Sequence, residues 1–317
     1  MIAGRGGPCA VPLRDLPAMP DSPPPLPGRA AAPALPALPP GSRVLVAGCG
    51  DLGMRVARRL SEAGTQAWCL RRNPPAGAAP LRWIAADLAQ PGGLAGLPRG
   101  ITHLAYLPAP DARTQDAYRA VFAGGLARLL DAMDAAALQR VVFVSSSAVY
   151  GEHHGDWVDE DTLPSPLGPN GAVLLETETW LAAQGLPAVV LRLAGLYGPG
   201  RMQWVRRLLE GRARAPVEPP HWSNRIHADD AAAAVAHLLG LPRPAPLYLG
   251  TDDTPLPLHE RLGHLAALLG APEVACGPPP PGVGSKRLRN ARLRASGLAL
   301  RWPDAREGHA ALLAPGT

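Results

Sequence analysis

Two short stretches of this sequence have the residue types and spacing to do chemistry. Gly48-Cys49-Gly50-Asp51-Leu52-Gly53 follows the pattern G-x-G-x-x-G, directly after the apolar run Val44-Leu45-Val46-Ala47 and before an amphipathic stretch that ends at Gly64. In that context the first glycine permits a tight turn and the second lets the backbone approach a pyrophosphate. The third lets the helix pack closely, and the helix N-terminus offers amides and a positive dipole end to the anion. The pattern predicts a bound dinucleotide. No acidic residue occurs from Ala63 to Ala86, where an Asp or Glu would accept the ribose hydroxyls of NAD, whereas Arg71 and Arg72 stand at the end of the second apolar run. A guanidinium there can hold a 2′-phosphate, so NADP(H) is the preferred cofactor and NAD(H) the other candidate. In the second stretch, Ser145-Ser146-Ser147 follow Val141-Val142-Phe143-Val144 without a break, placing hydroxyls at the carboxyl edge of a buried strand. Ligands bind at that edge in open parallel sheets.

The elements that must position these groups alternate between the two periods. Short apolar runs at 44–47, 66–71, 82–86, 101–107, 141–144, 188–193 and 246–249 read as strands. Amphipathic stretches at 52–63, 114–138, 202–210, 229–239 and 258–269 read as helices, and 176–184 as the end of another. Such alternation implies an α/β fold of Rossmann type, a doubly wound parallel sheet of about seven strands. Tyr118, Val121, Phe122, Leu126, Leu129, Leu130 and Met133 recur at three- and four-residue spacing, which predicts one continuous helix over 114–138.

Taken together, the glycine turn, Asp87-Leu88, Ser145-Ser146-Ser147-Ala148-Val149-Tyr150-Gly151, the RLAGLYGPG run from Arg192 to Gly200, and Ile226-His227-Ala228-Asp229-Asp230 resemble an extended or atypical short-chain dehydrogenase/reductase of the NAD-dependent epimerase/dehydratase group. The resemblance runs from Arg43 to the C-terminus. It implies that Asp87 and Leu88 meet the adenine, that Leu107, Pro108 and Ala109 border the cofactor, and that Ser146, with Ser147 as a near alternative, is the catalytic hydroxyl. It also implies a small C-terminal substrate lobe and, through the helices at 114 and 176, pairing into a homodimer. The group's Tyr-x-x-x-Lys pair is missing: 166–176 contains neither residue, and Lys286 is the only lysine in the chain. Tyr150, His153, His154, Tyr197 and Tyr106 are left as candidates to move a proton, with packing and hydrogen bonding the stronger reading for Tyr150 and Tyr197. Two readings follow: an NAD(P)(H)-dependent oxidoreductase or epimerase-like enzyme acting on a small carbonyl or hydroxyl compound, and a dinucleotide-binding redox sensor or regulator without turnover.

Composition limits the alternatives. The 317 residues include 39 prolines and 35 glycines, many of the prolines within the first 40 residues. Residues 1–40 therefore read as a disordered extension or a start assigned too early, and 41–317 as the folded domain, its substrate lobe drawn mainly from 198–225 and 250–317. The net charge of +5 suits phosphates, and the basic run from Lys286 to Arg294 reads as a solvated helix face or as one facing an anionic substrate. That run lacks interleaved aromatics, so no nucleic-acid partner is expected. Isolated cysteines with no metal spacing and no long apolar run predict no metal, no membrane span and a cytoplasmic protein.

Overall fold

The computed structural model describes residues 36–75, 81–90, 92–94 and 96–314. Most of the expected N-terminal extension lies outside these residues. Where description begins, Leu38 already packs on the main core and the Pro36 carbonyl lies against Gly240, so packing starts a few residues before the expected boundary at 41.

Seven parallel strands form the central sheet: β1 Arg43–Ala47, β2 Gln66–Arg71, β3 Arg82–Ala85, β4 His103–Tyr106, β5 Arg140–Ser146, β6 Ala188–Leu193 and β7 Leu247–Gly250. Their spatial order is β7-β6-β5-β4-β1-β2-β3. The chain leaves β1 toward β2 on one side and returns to β4 on the other, so the order reverses between β1 and β4. The connections after those two strands run to opposite sides, which opens a crevice at the carboxyl edge of the sheet. The strands are short and almost wholly apolar because both faces are covered, β1 and β4 being buried nearly throughout.

Helix α1, Asp51–Glu62, follows the glycine turn and packs on α6, Ala228–Gly240. The helix expected over 114–138 is not continuous. It runs as α2, Gln115–Tyr118, then a wide π turn over Arg119–Ala123, then α3, Gly124–Asp131. The Gly124 N–H donates to the Arg119 carbonyl, five residues back. Carbonyls freed by the wide turn are taken by side chains: the Tyr106 hydroxyl donates to Val121 O at 2.6 Å and Arg128 Nη2 to Ala120 O at 2.9 Å. Helix α4, Pro169–Ala182, packs against this run.

A second hydrophobic cluster, containing Val205, Leu208, Leu258, Leu262 and Leu265, lies between α5, Gln203–Leu209, and α7, Leu258–Leu269, and forms the heart of the smaller lobe. The expected lobe segment 250–317 is divided, because Leu288, Leu293, Leu298 and Leu300 belong to the main core. The run from Lys286 to Arg294 is not a solvated helix face. Lys286 is buried and its Nζ donates to the Gly151 and Gly284 carbonyls, Arg287 stands over Trp157 and Trp222, and the only helix there is the short α8, Ala291–Ala295. The remaining helix, α9, Ala305–Leu313, packs on α7.

Candidate active site

One cleft of about 1240 Å³ opens at the carboxyl edge of the sheet. Gly48, Cys49, Gly50, Asp51, Leu52 and Gly53 form its floor, Arg71, Arg72, Asp87 and Leu88 one end, and Leu107, Pro108 and Ala109 a wall; Ser146 lies farther along. The cofactor residues expected from sequence are thus brought into one place. Gly48 has φ +92°, and a Cβ there would sit 2.3 Å from the Cα of Pro108, so the turn and the loop after β4 touch through a position only glycine can fill. Gly50 is the opposite case: a Cβ built on it meets nothing within 4 Å. Its free face looks onto the start of a 12-residue helix whose N-cap has no side-chain hydrogen bond. That is the space a pyrophosphate needs.

Charge around the turn is already paired. Asp51 receives Arg55 Nε and Arg201 Nη2, each at 3.0 Å, which ties the turn to the Gly-Pro-Gly loop after β6. At the adenosine end Arg72 forms two 2.5 Å bonds to Asp111, while Arg71 lines the cleft with no ion pair among the described residues. Asp87 Oδ1 accepts the Ala89 N–H at 2.9 Å, the turn-capping role open to any Asp in such a loop.

The candidate catalytic residues separate. Ser146 lines the cleft, its Oγ accepting the Ala148 N–H at 3.2 Å, whereas Ser147 does not line it. Tyr150 is fully buried away from the cleft: its hydroxyl donates to the Asp159 carbonyl at 2.8 Å and Arg192 stands 4.7 Å over its ring. Burial also pushes its phenol above the ordinary value, and its hydroxyl and ring are both engaged in packing contacts. Tyr106 and Tyr197 are buried and shifted upward in the same way, and His153 and His154 do not line the cleft. The only tyrosine in the described cleft wall is Tyr118.

Beneath the serines lies a network that sequence reasoning did not find. Ser145 Oγ donates to Glu178 Oε1, and Arg192 holds the same carboxylate through Nε at 3.1 Å and Nη2 at 2.6 Å, all three residues being buried. Its signal was present: Glu178 falls in the same stripe of α4 as Val173, Leu174, Thr177 and Leu181. A carboxylate among core positions requires a buried partner. From that helix only Leu174 reaches the cleft.

Sequence reasoning also missed the basic wall opposite. Arg201, Arg206, Arg207, Arg212 and Arg225 line the cleft from the smaller lobe, whereas no residue between Lys286 and Arg294 does. The basic residues on this side of the cleft all come from the segment after Gly200.

Comparisons with known proteins agree with this geometry. The profile of the NAD dependent epimerase/dehydratase family matches residues 44–247, and the chain belongs to that family. A solved structure from Methylobacillus flagellatus, assigned as an NAD-dependent epimerase/dehydratase, is 38% identical with a TM-score of 0.73, over 86% of this chain and 98% of the other. Among curated proteins, Protein YeeZ of Escherichia coli K12 is 37% identical over 121 residues, which are 38% of this chain and only 42% of YeeZ. The 2-alkyl-3-oxoalkanoate reductase of Stenotrophomonas maltophilia is 27% identical over 256 residues, covering 73% of this chain and 77% of that protein.

Proposed function

We propose that this protein is an NADP(H)-dependent oxidoreductase that exchanges hydride with a small carbonyl or hydroxyl compound held between Ser146 and the smaller lobe. The observation that carries this reading is the single cleft that joins the glycine turn to Ser146. A nicotinamide bound there supplies the hydride. Ser146 Oγ accepts one backbone N–H, which leaves its own proton to donate to the substrate oxygen and to the charge that grows on it. Tyr118 is the phenol placed to exchange the accompanying proton, since Leu174 gives α4 an apolar presence in the cleft. Arg71 and Arg72, with no acidic residue at the end of β2, support NADP(H) over NAD(H). The likeness to a 3-oxoalkanoate reductase supports a ketone as the reacting group.

Leu174 and the remote Lys286 favour one alternative, a dinucleotide-binding regulator without turnover. The test is titration with NADPH and NADH of the wild type, Arg71→Ala and Arg72→Ala, followed by NADPH oxidation with a panel of ketones. The enzyme reading expects turnover that Ser146→Ala abolishes while NADPH binding survives. Tight binding with no turnover on any ketone selects the regulator. Equal affinity for both cofactors, unaffected by either arginine change, removes the NADP(H) preference.

A further inference from the structure

Behind the basic wall, a separate cavity of about 40 Å³ lies inside the smaller lobe, between Tyr197, Arg225, Arg261 and His309. Arg225 lines both this cavity and the main cleft, so the two adjoin through its side chain. Space for the guanidinium is provided by Gly195, where a Cβ would sit 2.2 Å from Arg225 Nη1.

Three polar atoms around this cavity are buried with no hydrogen-bond partner among the described residues. Arg261 is 2% exposed; its Nε reaches Ser223 Oγ at 3.0 Å, but its buried Nη2 has no hydrogen bond. Arg225 makes no side-chain hydrogen bond or ion pair among the described residues, and its Nε is buried. The Tyr197 hydroxyl is likewise buried and unbonded. Two guanidiniums are close enough to oppose each other's charge, and the acidic group that acts on both, Asp252, forms no ion pair with either. Neither histidine adds charge, because burial holds His227 at about 4 and His309 at about 3. The donors left unused on these buried guanidiniums are what an anion would satisfy.

Size selects the anion. The cavity is small, with room for only a few water-sized groups, and a flat carboxylate, whose two oxygens can each meet a guanidinium, suits it. We propose that this cavity is a carboxylate subsite, in which Arg225 and Arg261 clamp the acid end of a small substrate whose reacting carbon lies in the main cleft. The substrate role rests on the oxidoreductase reading above; the binding of a carboxylate does not.

The test is therefore binding of sodium formate to the full chain without cofactor, by calorimetry, with acetamide as the uncharged comparison. Saturable formate binding, absent for acetamide and weakened at least about tenfold in Arg261→Gln, is expected. No saturable formate binding to the wild type, or binding unaffected by Arg261→Gln and by Arg225→Gln, overturns the subsite. Should the variants fail to fold, wild-type crystals soaked in sodium bromide decide. An anomalous peak between the two guanidiniums supports the proposal, and water alone overturns it. An NADPH titration alongside separates the two readings: formate binding lost with NADPH binding intact refutes the subsite alone, and the reverse refutes the cofactor assignment alone.

Discussion

Gly48 and Gly50 stand two residues apart in one turn, and the structure requires them to respond oppositely to the same added methyl group. In Gly48→Ala the new Cβ would lie 2.3 Å from both Cα and N of Pro108 and 2.7 Å from the Leu107 carbonyl carbon, so backbone must move. The φ of +92° adds roughly 1–2 kcal/mol for a left-handed L-residue. Together these place the loss above about 3 kcal/mol, near 5 °C in melting temperature for a domain of this size. Gly50→Ala meets nothing within 4 Å and has φ −79°. A less flexible unfolded chain offsets the poorer N-cap, so stability stays within about 1 kcal/mol of wild type. The methyl nevertheless occupies the face where a pyrophosphate would meet the turn, and NADPH affinity should fall at least about tenfold. Urea unfolding and equilibrium NADPH titration of both variants are the assays. A Gly50→Ala protein that binds NADPH like the wild type would refute the placement of the phosphates. A Gly48→Ala protein with normal stability would refute the turn geometry.

Three other outcomes follow from the same structure. Glu178→Ala leaves Arg192 buried without its carboxylate and should cost about 3–5 kcal/mol in urea unfolding, while the double change Glu178→Leu with Arg192→Met recovers most of it; equal losses would mean the pair is not the cause. Burial holds His103 and His227 at about 4 and His309 at about 3, so the unfolded chain takes up protons first and stability falls as pH drops below 6.5. Asp230, raised by burial to about 6, acts in the opposite sense as pH falls from 6, so that these four groups together contribute a loss of about 2–3 kcal/mol per unit between pH 6 and 5. Unfolding midpoints unchanged over that interval would contradict it. Asp111→Asn frees Arg72 from its carboxylate and should tighten NADPH a few-fold without changing NADH; tightening of both, or neither, argues against a 2′-phosphate contact.

What could be read in the sequence was local. Strands β1, β5 and β6, the glycine turn and helix α7 are each specified by residues within a few positions of one another, and each lies where the pattern put it. The failures share a different cause. A smooth 3.6-residue stripe through 114–138 conceals the π turn because the Tyr106 hydroxyl that accompanies it comes from the neighbouring strand. Lys286 looks like the start of a solvated basic run, yet it is bonded to Gly151, 135 residues away in sequence. The distance of Tyr150 from the serines leaves a packing and a proton-carrying reading both open, and the contacts that hold it out of the cleft come from Arg192 and Asp159, neither adjacent in sequence. Arg225 and Arg261 stand on segments 36 residues apart, and nothing near either in the chain shows that they share a cavity.

The wide turn over Arg119–Ala123 also bears on how this fold tolerates changes in chain length. A π turn is an α-helix with one extra residue, and each residue of a helix accounts for about 100° of rotation. Deleting one residue between Tyr118 and Gly124 would restore a regular ladder while leaving α3 in place. It would also swing Tyr118 and Val121, which line the cleft, about a quarter turn around the axis. The helix thus takes one residue more than a regular ladder would at this point, absorbed at its own hydrogen bonds, and that residue sets which side chains face the cleft.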